Sequence, residues 1–338
     1  MNKIINSQEK MIKEMIDGYI VTCPDLLEAL PEYNGVVLKN KKDKVSIVVG
    51  GGSGNEPWVI GYVGKGLADG AALGNVYSAP PPKAILGVTR ALNYEKGVIY
   101  LCTNHSGDVL NFELASELAG LEGIKAKCIF VTDDIASAPR ELRNERRGVA
   151  GIAIVAKIAG AVCDSGLNLD ESVRIIEKAN QNTFTFSVTT SPGYLPNGKA
   201  MCDLPEGFIE YGMGFNGEPG ILRTELVPAD EIADTMLKFL LDDSKITCDD
   251  EVSVMINGFG FTSLLELSIV NRRVCEKLSQ EGIAIHDTSI DTLFCPQGTG
   301  GFSISMLKMD EELKKYYDGF AYSPFFKKCR YDRIYSHK

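Results

Sequence analysis

The chain has 338 residues, of which 44% are hydrophobic and 24% are charged. This composition is typical of a folded globular protein rather than a disordered one, and the length predicts two domains. The formal net charge of −10 disfavours binding to nucleic acid, because an acidic surface repels phosphate groups.

Signals for membrane targeting and for metal binding are missing from the sequence. No apolar segment of a secretory signal follows the N-terminus, and no stretch approaches the ~18–20 apolar residues of a membrane span. We therefore expect a cytoplasmic protein without a membrane partner. The nine Cys form no Cys-x-x-Cys pair, which favours reduced thiols. With only three His, at positions 105, 286 and 337, we expect no metal site in this chain.

The first half of the chain predicts strands that alternate with helices. Residues 1–30 have helical spacing interrupted by Pro24, which indicates two helices or a helix and an arm. Short apolar runs indicate buried strands at residues 45–49, 98–101 and 128–131. Helix-like segments occupy residues 82–92, 110–121, 148–165 and 170–180. This alternation predicts βαβ units on a largely parallel sheet.

The second half begins with a strand-like run at residues 184–188. Further strands are predicted at 252–256 and 302–307, with helices at 229–241 and 263–278. We therefore predict an α/β protein of two domains. Residues 1–182 form an N-terminal domain with the largely parallel sheet, and residues 183–338 form a second α/β domain.

The clearest candidate for a binding loop is the glycine-rich run at residues 50–57, directly after the first predicted strand. Consecutive glycines let a backbone approach a small ligand, and Ser53 and Asn55 add polar side chains. A phosphate loop fits poorly, because neither the Gly-Lys-Ser/Thr ending nor the Rossmann pattern is present. A ligand-binding loop and a plain tight turn both stay open.

A second candidate is the run at residues 103–108, Thr-Asn-His-Ser-Gly-Asp, again just after a predicted strand. Open α/β sheets bind ligands at the carboxyl ends of their strands. Asp108 can act as a general base, or as the N-cap of the following helix. His105 can have a direct role or a structural one.

A third candidate is the loop at residues 212–220, whose Gly-Glu-Pro ending is similar to the Asn-Glu-Pro ending of the first loop. The two loops can face one pocket between two domains, although two unrelated turns fit as well. We interpret Arg146 and Arg147 as a pair on a helix surface rather than as a phosphate clamp.

Several motifs occur in a fixed order along nearly the whole chain. They are Gly50-Gly51-Gly52-Ser53-Gly54-x-Glu56-Pro57, Asn104-x-Ser106-Gly107-Asp108, Arg146-Arg147-Gly148, Gly212-x-Gly214-x-x-Gly217-Glu218-Pro219-Gly220 and Asn257-Gly258-Phe259-Gly260. In this order they resemble the substrate-binding subunit of dihydroxyacetone kinases of the type linked to a sugar phosphotransferase chain. The resemblance implies a two-domain α/β protein, a homodimer, and a triose pocket between the glycine loops.

The chain departs from this family mainly in the pocket. The resemblance aligns a family His that assists catalysis with Asn55, and a family Lys with Thr103. The family His that adds to the ketone carbon is Asn216 here, and a carboxamide nitrogen is not a nucleophile. The acidic base of the family is kept as Asp108. A further departure is the run Cys-Pro-Gln-Gly-Thr-Gly at residues 295–300.

The replacements keep their hydrogen-bonding capacity, which predicts a polar site that holds its ligand without a covalent bond. We predict Asp108 as the catalytic base. The predicted substrate-binding residues are Gly52, Ser53, Gly54, Asn55, Thr103, Asp108 and Asn216.

The resemblance leaves three functions to be weighed. In the first, the chain is the substrate-binding subunit of a dihydroxyacetone-kinase-like phosphotransferase for a small ketose or polyol. A partner subunit then carries ATP or ADP and Mg²⁺, and this chain binds no cofactor. In the second, the chain is a ligand-sensing paralog that acts as coactivator of a transcription regulator. In the third, it is a catalytically inactive scaffold.

Overall fold

The computed structural model describes residues 3–92 and 95–328, so that Cys329 and His337 lie outside the described residues. Its helices are α1 (Met11–Ile20), α2 (Pro82–Arg90), α3 (Ser106–Leu121), α4 (Ile152–Asp164), α5 (Leu169–Gln181), α6 (Ala229–Ser244), α7 (Leu264–Gln280) and α8 (Glu311–Tyr317). Its strands are β1 (Leu27–Leu30), β2 (Gly35–Leu38), β3 (Ser46–Ser53), β4 (Gly70–Val76), β5 (Val98–Thr103), β6 (Ala126–Val131), β7 (Thr183–Ser191), β8 (Phe208–Tyr211), β9 (Leu222–Glu225), β10 (Glu251–Gly258), β11 (Ala284–Asp291), β12 (Gly300–Met309), β13 (Ala321–Tyr322) and β14 (Lys327–Lys328). Within the described ranges, no helix combines the length and the apolar character needed to cross a membrane.

The chain forms two compact units, each built from separate stretches of sequence. The first unit contains Ile5–Val131, Ile154–Ala179 and the described residues from Glu311 to Lys328, and the second consists mainly of Thr132–Ala153 and Asn180–Asp310. The predicted ranges, 1–182 and 183–338, differ from these units. Residues 132–153 lie between two stretches of the first unit in the sequence but pack with the second unit. The segment that begins at Glu311 follows the second unit in the sequence but packs with the first.

The sheet of the first unit has the strand order β1-β2-β4-β3-β5-β6. β3 pairs in parallel with β4 on one side and with β5 on the other, and β5 pairs in parallel with β6. β1 and β2 extend this sheet by antiparallel pairing. The predicted parallel arrangement is confirmed for β4, β3, β5 and β6. The chain runs from β3 to β4 in one direction and then crosses to β5 on the other side, so the strand order reverses at β3.

The core of this unit follows from the apolar runs of the sequence. Val48 of β3 and Tyr100 of β5 are buried, and Ile85 of α2 and Phe112 of α3 pack in the same cluster. A parallel strand that is covered on both faces needs apolar residues at successive positions. This requirement explains why residues 45–49 and 98–101 read as continuous apolar runs and not as an alternating pattern.

The sheet of the second unit has the order β11-β10-β12-β7-β8-β9. β10 and β11 pair in parallel, and the other neighbouring strands of this sheet are antiparallel. Its core joins β7, β10 and β12 to α6 and α7, through residues such as Phe186, Ile256, Ile304, Met236 and Val274. This unit is therefore α/β, as predicted, with a mainly antiparallel sheet.

Two helices begin at positions that differ from the prediction. α3 begins at Ser106 with His105 at its N-cap, so that Asp108 lies in the first turn and does not cap the helix, contrary to one of the two predicted roles. α4 begins at Ile152 and not at residue 148. The reason is that the Asp133 carboxylate accepts the backbone N–H groups of Val149 and Gly151, at 2.8 Å each, which holds these residues in a turn.

The prediction that Arg146 and Arg147 form an exposed helix-surface pair is wrong. Arg146 is fully buried, and its guanidinium donates to both carboxylate oxygens of Asp243, with an Nη1–Oδ2 distance of 2.9 Å. Arg147 pairs with Asp134, with an Nη2–Oδ2 distance of 2.9 Å. Local sequence could not reveal the first pair, because Asp243 is 97 residues from Arg146.

Asn257, at the end of β10, fixes the loop that follows β11. Its Oδ1 accepts the backbone N–H groups of Leu293, at 2.8 Å, and Phe294, at 3.0 Å. Its Nδ2 donates to the carbonyl oxygen of Phe294 at 2.8 Å. Phe294 in turn packs edge-on against Phe215, with ring centroids 5.0 Å apart. A buried Asn thus supports the loop that carries Asn216.

We predict that Asn257→Ala lowers the free energy of unfolding by about 3 kcal/mol, because it removes three hydrogen bonds to buried backbone groups. Urea denaturation measures this change. The matched control is Asn40→Ala, at an exposed position, which we expect to change stability by less than about 0.5 kcal/mol. Equal stability of the two variants would contradict the prediction.

Candidate functional site

The candidate site of the first unit lies where β3 and β5 end. The two strands are parallel neighbours, with Ser46 opposite Val98 and Val49 opposite Leu101, so their carboxyl ends meet at one edge of the sheet. The glycine-rich loop continues from β3, and the run that begins with Thr103 continues from β5. Since the strand order reverses at β3, this edge is the position where open α/β sheets form ligand crevices.

The glycine loop is packed closely against its surroundings. A Cβ atom on Gly52 would lie 2.7 Å from the backbone nitrogen of Ser78, so no larger residue fits at this position. Gly54 has a φ of 110°, in a region that favours glycine. Its N–H donates to the Glu56 carboxylate, at 2.9 and 3.1 Å to the two oxygens. The loop is therefore held in shape by its own Glu, as a tight turn requires.

Ser53 and Asn55 lie in this loop but have different environments. The Ser53 hydroxyl is buried and donates to the carbonyl oxygen of Gly74 at 2.8 Å, which is a structural contact. Asn55 is 6% exposed, and its buried Oδ1 has no hydrogen-bond partner among the described residues. A buried amide oxygen without a partner is energetically costly unless a ligand or water satisfies it. Asn55 is therefore the side chain of this loop that is best placed to contact a ligand.

Asp108 is the second buried polar group of this kind. It lies in the first turn of α3, is 6% exposed, and its Oδ1 has no hydrogen-bond partner among residues 3–92 and 95–328. Burial raises the pKa of the Asp108 carboxyl to about 7, and a hydrogen bond from the Thr103 hydroxyl acts in the opposite direction. A carboxylate with a pKa near neutrality can accept a proton from a hydroxyl group under physiological conditions.

Thr103 connects Asp108 to His105. Thr103 is 2% exposed, and its Oγ1 lies 3.0 Å from Nδ1 of His105. The hydroxyl is thus shared between the His105 ring and the Asp108 carboxyl. Thr103 and His105 therefore orient Asp108 from one side, and the other carboxylate oxygen stays available.

A segment after β4 joins the two loops. Tyr77 donates its backbone N–H to the carbonyl oxygen of Ser53 at 2.8 Å, and its hydroxyl donates to the carbonyl oxygen of Gly54 at 3.3 Å. Pro80 lies three residues after Tyr77, and its carbonyl oxygen accepts the side-chain amide of Asn111 of α3 at 2.9 Å. Residues 77–80 therefore fix the glycine loop relative to the helix that carries Asp108.

Asn216 lies in the second unit, on the loop after β8, and is exposed. Glu218 accepts its backbone N–H at 3.0 Å and its side-chain amide at 3.4 Å. Arg147 Nη1 lies 4.0 Å from the Glu218 carboxylate. The neighbouring Phe215 is buried and packs against Phe259, with centroids 4.7 Å apart. The loop is thus anchored by Phe215 and Glu218, and Asn216 lies at its surface.

The structure brings six of the seven predicted site residues together in the first unit, namely Gly52, Ser53, Gly54, Asn55, Thr103 and Asp108, whereas Asn216 belongs to the second unit. Sequence reasoning missed the roles of Glu56, Tyr77 and Glu218. The two Glu residues carried a signal that could have found them, because each is followed by Pro and lies two residues after the N–H group that it accepts. Tyr77 carried no such signal.

The described residues contain no group of three or more His, Cys, Asp or Glu side chains that could hold a metal ion. The polar side chains of the first unit can hydrogen-bond to a small polar ligand, and Asp108 can accept a proton.

Comparisons with known proteins show the family of the chain. The Dak1 domain family matches residues 17–325. A protein of Listeria innocua serovar 6a, described as PTS-dependent dihydroxyacetone kinase 2, dihydroxyacetone-binding subunit DhaK, is 38% identical over 331 residues. The match covers 97% of this chain and 99% of that protein.

Two solved structures are also similar. The dihydroxyacetone kinase operon co-activator Dha-DhaQ superposes with a TM-score of 0.86 at 29% identity, covering 91% of this chain and 96% of that chain. The dihydroxyacetone kinase from C. freundii in complex with AMP-PNP and Mg²⁺ superposes with a TM-score of 0.83 at 30% identity. That match covers 95% of this chain and 60% of the longer kinase.

The raised pKa of Asp108 predicts a pH-dependent cost to stability. The pKa of the folded state, about 7, exceeds the ordinary aspartate value, so the native protein binds more protons than the unfolded chain between about pH 4 and 7. Stability therefore falls as the pH rises through this window. The free energy of unfolding of Asp108→Asn minus that of the wild type should therefore be about 3 kcal/mol larger at pH 8 than at pH 5.

Urea denaturation of both proteins at the two pH values measures this difference. The control is Asp25→Asn at an exposed position, whose stability relative to the wild type should not change between pH 5 and pH 8. A difference between Asp108→Asn and the wild type that is the same at both pH values would show that Asp108 titrates normally.

Proposed function

Because the chain belongs to the Dak1 domain family of dihydroxyacetone kinases, we propose that it is the substrate-binding subunit of a phosphotransferase that acts on a small ketose or polyol. The observation that carries the proposal is the buried Asp108 carboxyl, with a pKa of about 7 and one oxygen that has no partner among the described residues. An aspartate with a structural role would be paired or exposed. A general base needs a pKa near neutrality and an oxygen that is available to accept a proton.

In the proposed reaction, the ligand places one hydroxyl group against the carboxylate of Asp108. Asp108 accepts the hydroxyl proton while the hydroxyl oxygen forms a bond to the terminal phosphorus of the donor. The bond between that phosphorus and the leaving oxygen of the donor breaks, and the electron pair stays with the leaving oxygen. Because most of the catalysis of phosphoryl transfer comes from positioning and charge stabilisation, one base on this chain is sufficient.

The nucleotide and Mg²⁺ are assigned to a partner subunit. The similar C. freundii kinase was solved with AMP-PNP and Mg²⁺, and this chain corresponds to only 60% of its length. ATP with Mg²⁺ supplies the phosphoryl group and neutralises its charge, and this chain contributes the substrate and the proton acceptor. We also propose that the chain assembles as a homodimer, and its placement in the cytoplasm stays a prediction.

Hydrogen bonds select the ligand in this proposal. The Asn55 Oδ1 atom accepts from a hydroxyl group, the Thr103 hydroxyl holds Asp108, and the residues around Gly54 bring the backbone close to the ligand. A ligand that lacks the matching hydroxyl would leave Asn55 and Asp108 buried without partners, which is costly. Ketoses and polyols of three or four carbons carry at least two hydroxyl groups, as this arrangement needs.

The proposal is tested by assaying phosphoryl transfer with the nucleotide-binding partner subunit, ATP and Mg²⁺, using dihydroxyacetone and erythrulose. Loss of the general base in Asp108→Asn should lower kcat by about 10²–10⁴-fold while the ligand still binds. The wild-type kcat should rise with pH, with an apparent pKa of about 7 set by Asp108. The control Asp25→Asn should behave like the wild type. A kcat for Asp108→Asn within tenfold of the wild-type value, or a wild-type kcat that does not change with pH, would contradict the proposal.

A second candidate function is a ligand sensor that acts as coactivator of a transcription regulator. It is supported by the similarity to the co-activator Dha-DhaQ, which covers almost the whole of both chains. A sensor needs the ligand site but not the proton transfer. Tight binding of a ketose by calorimetry, together with no phosphoryl transfer in the presence of the partner subunit, would favour this function.

We further predict that the bound ketone stays a ketone. Asn216 holds a carboxamide whose nitrogen lone pair is delocalised, and this amide donates to Glu218, so it cannot add to a carbonyl carbon. Dihydroxyacetone labelled with ¹³C at the carbonyl carbon should therefore show a bound resonance in the ketone region of the NMR spectrum.

The matched variant is Asn216→His, which supplies an imidazole nitrogen at the same position. Here the carbonyl signal should be replaced in part by that of a tetrahedral carbon bonded to nitrogen. A tetrahedral adduct in the wild-type protein would contradict the prediction.

A further inference from the structure

The first unit contains a cavity at the edge of the sheet opposite to the glycine loop. Its volume is about 550 Å³, and its lining includes Lys44, which precedes β3, and Asp69, which precedes β4. The amino ends of these parallel strands are therefore at the cavity, whereas the glycine loop and Asp108 follow carboxyl ends. Since β3 has 8 residues and a strand rises about 3.3 Å per residue, roughly 25 Å separates the two places.

The floor of the cavity is a buried cluster of charged side chains. Lys44 is 5% exposed, and its Nζ lies 2.9 Å from the Asp69 carboxylate and 3.1 Å from the Asp164 carboxylate. Asp69 also accepts the backbone N–H of Ile47 at 2.8 Å, and Asp164 pairs with Lys42 at 2.6 Å. Both acids are thus engaged by the floor itself and do not neutralise the rest of the lining.

The rim carries lysines that form no ion pair with the described residues. Lys41, Lys65 and Lys315 are exposed, and none of them forms an ion pair with any residue in the ranges 3–92 and 95–328. The lining as a whole has five lysines against two aspartates, a net charge of +3 on a chain whose net charge is −10. A concave surface of one sign with apolar walls concentrates its field and attracts the opposite charge.

Much of the remaining lining is apolar. It includes Leu26, Leu38, Ala161, Tyr316 and Phe320, beside the polar residues Asn40 and Ser165. Phe320 is 55% exposed at the opening, so an entering molecule would cover it. The volume also lies within the range of roughly 300–1,000 Å³ that small-molecule sites have.

We propose that this cavity binds a small organic phosphate, with the phosphate group between Lys41, Lys65 and Lys315 and the organic part against Tyr316 and Phe320. Lysine ammonium groups bind phosphate as point charges, and three of them more than offset the charge of about −2 on a phosphate monoester. A ketose or polyol is uncharged, so this lining does not select the ligand of the Asp108 site. The cavity is thus a second site for a ligand of a different chemical class.

The experiment uses isothermal titration calorimetry on the full chain, with phenyl phosphate, phenol and inorganic phosphate as probes. Phenyl phosphate should bind more tightly than phenol or inorganic phosphate, because it alone uses both the rim and the apolar wall. The combined variant Lys41→Gln, Lys65→Gln and Lys315→Gln should weaken phenyl phosphate binding by at least about tenfold, since three charge-assisted contacts are lost.

The matched control removes the same charge elsewhere, through Lys10→Gln, Lys199→Gln and Lys238→Gln, and should bind phenyl phosphate like the wild type. Asp108→Asn should also retain this binding, which separates the cavity from the ketose site. The proposal is overturned if phenyl phosphate shows no saturable binding, if both lysine variants lose affinity equally, or if Asp108→Asn abolishes binding.

Discussion

The parallel pairing of β3 with β5 is the constraint on which the candidate site depends. It brings the ends of two buried strands together, and each strand is followed at once by a polar run. Because α3 begins only three residues after β5 ends, its first turn stays at the buried edge and Asp108 is almost entirely buried. The near-neutral pKa of Asp108 is a direct result, and so is the loss of stability that accompanies its ionisation. Stability and reactivity are opposed at this residue, as is common where a buried group has a chemical task.

Two loops in different units use the same means of holding their shape. In one, the Glu56 carboxylate accepts the N–H of Gly54, and in the other the Glu218 carboxylate accepts the N–H of Asn216. Each Glu precedes a Pro and accepts a hydrogen bond from a backbone N–H group. Without the Glu, this N–H group would need another acceptor, such as a ligand. The loops are therefore formed before any ligand arrives, which reduces the entropy lost on binding.

Much of the fold could be predicted because it depends on local patterns. The buried strands 45–49 and 98–101, the α/β class and the position of the polar runs at strand ends all follow from periodicity and glycine placement. The sequence could not show features that join distant residues. The burial of Arg146 depends on Asp243, the start of α4 depends on Asp133, and the floor of the lysine-rimmed cavity joins Lys44 to Asp164. Burial of Asp108 also could not be read locally, because a position five residues from a strand end is compatible with exposure as well.

The interleaved path of the chain has a consequence for biosynthesis. Tyr322 pairs with Lys65 in the first unit, and Glu312 of α8 binds Arg174 and Lys178 of the same unit. These partners leave the ribosome long before residues 312–322 are made, whereas the second unit has its last strand, β12, by residue 309. The unit that begins first is therefore completed last. A nascent chain that stalls before residue 311 would expose the surface that α8 and β13 cover.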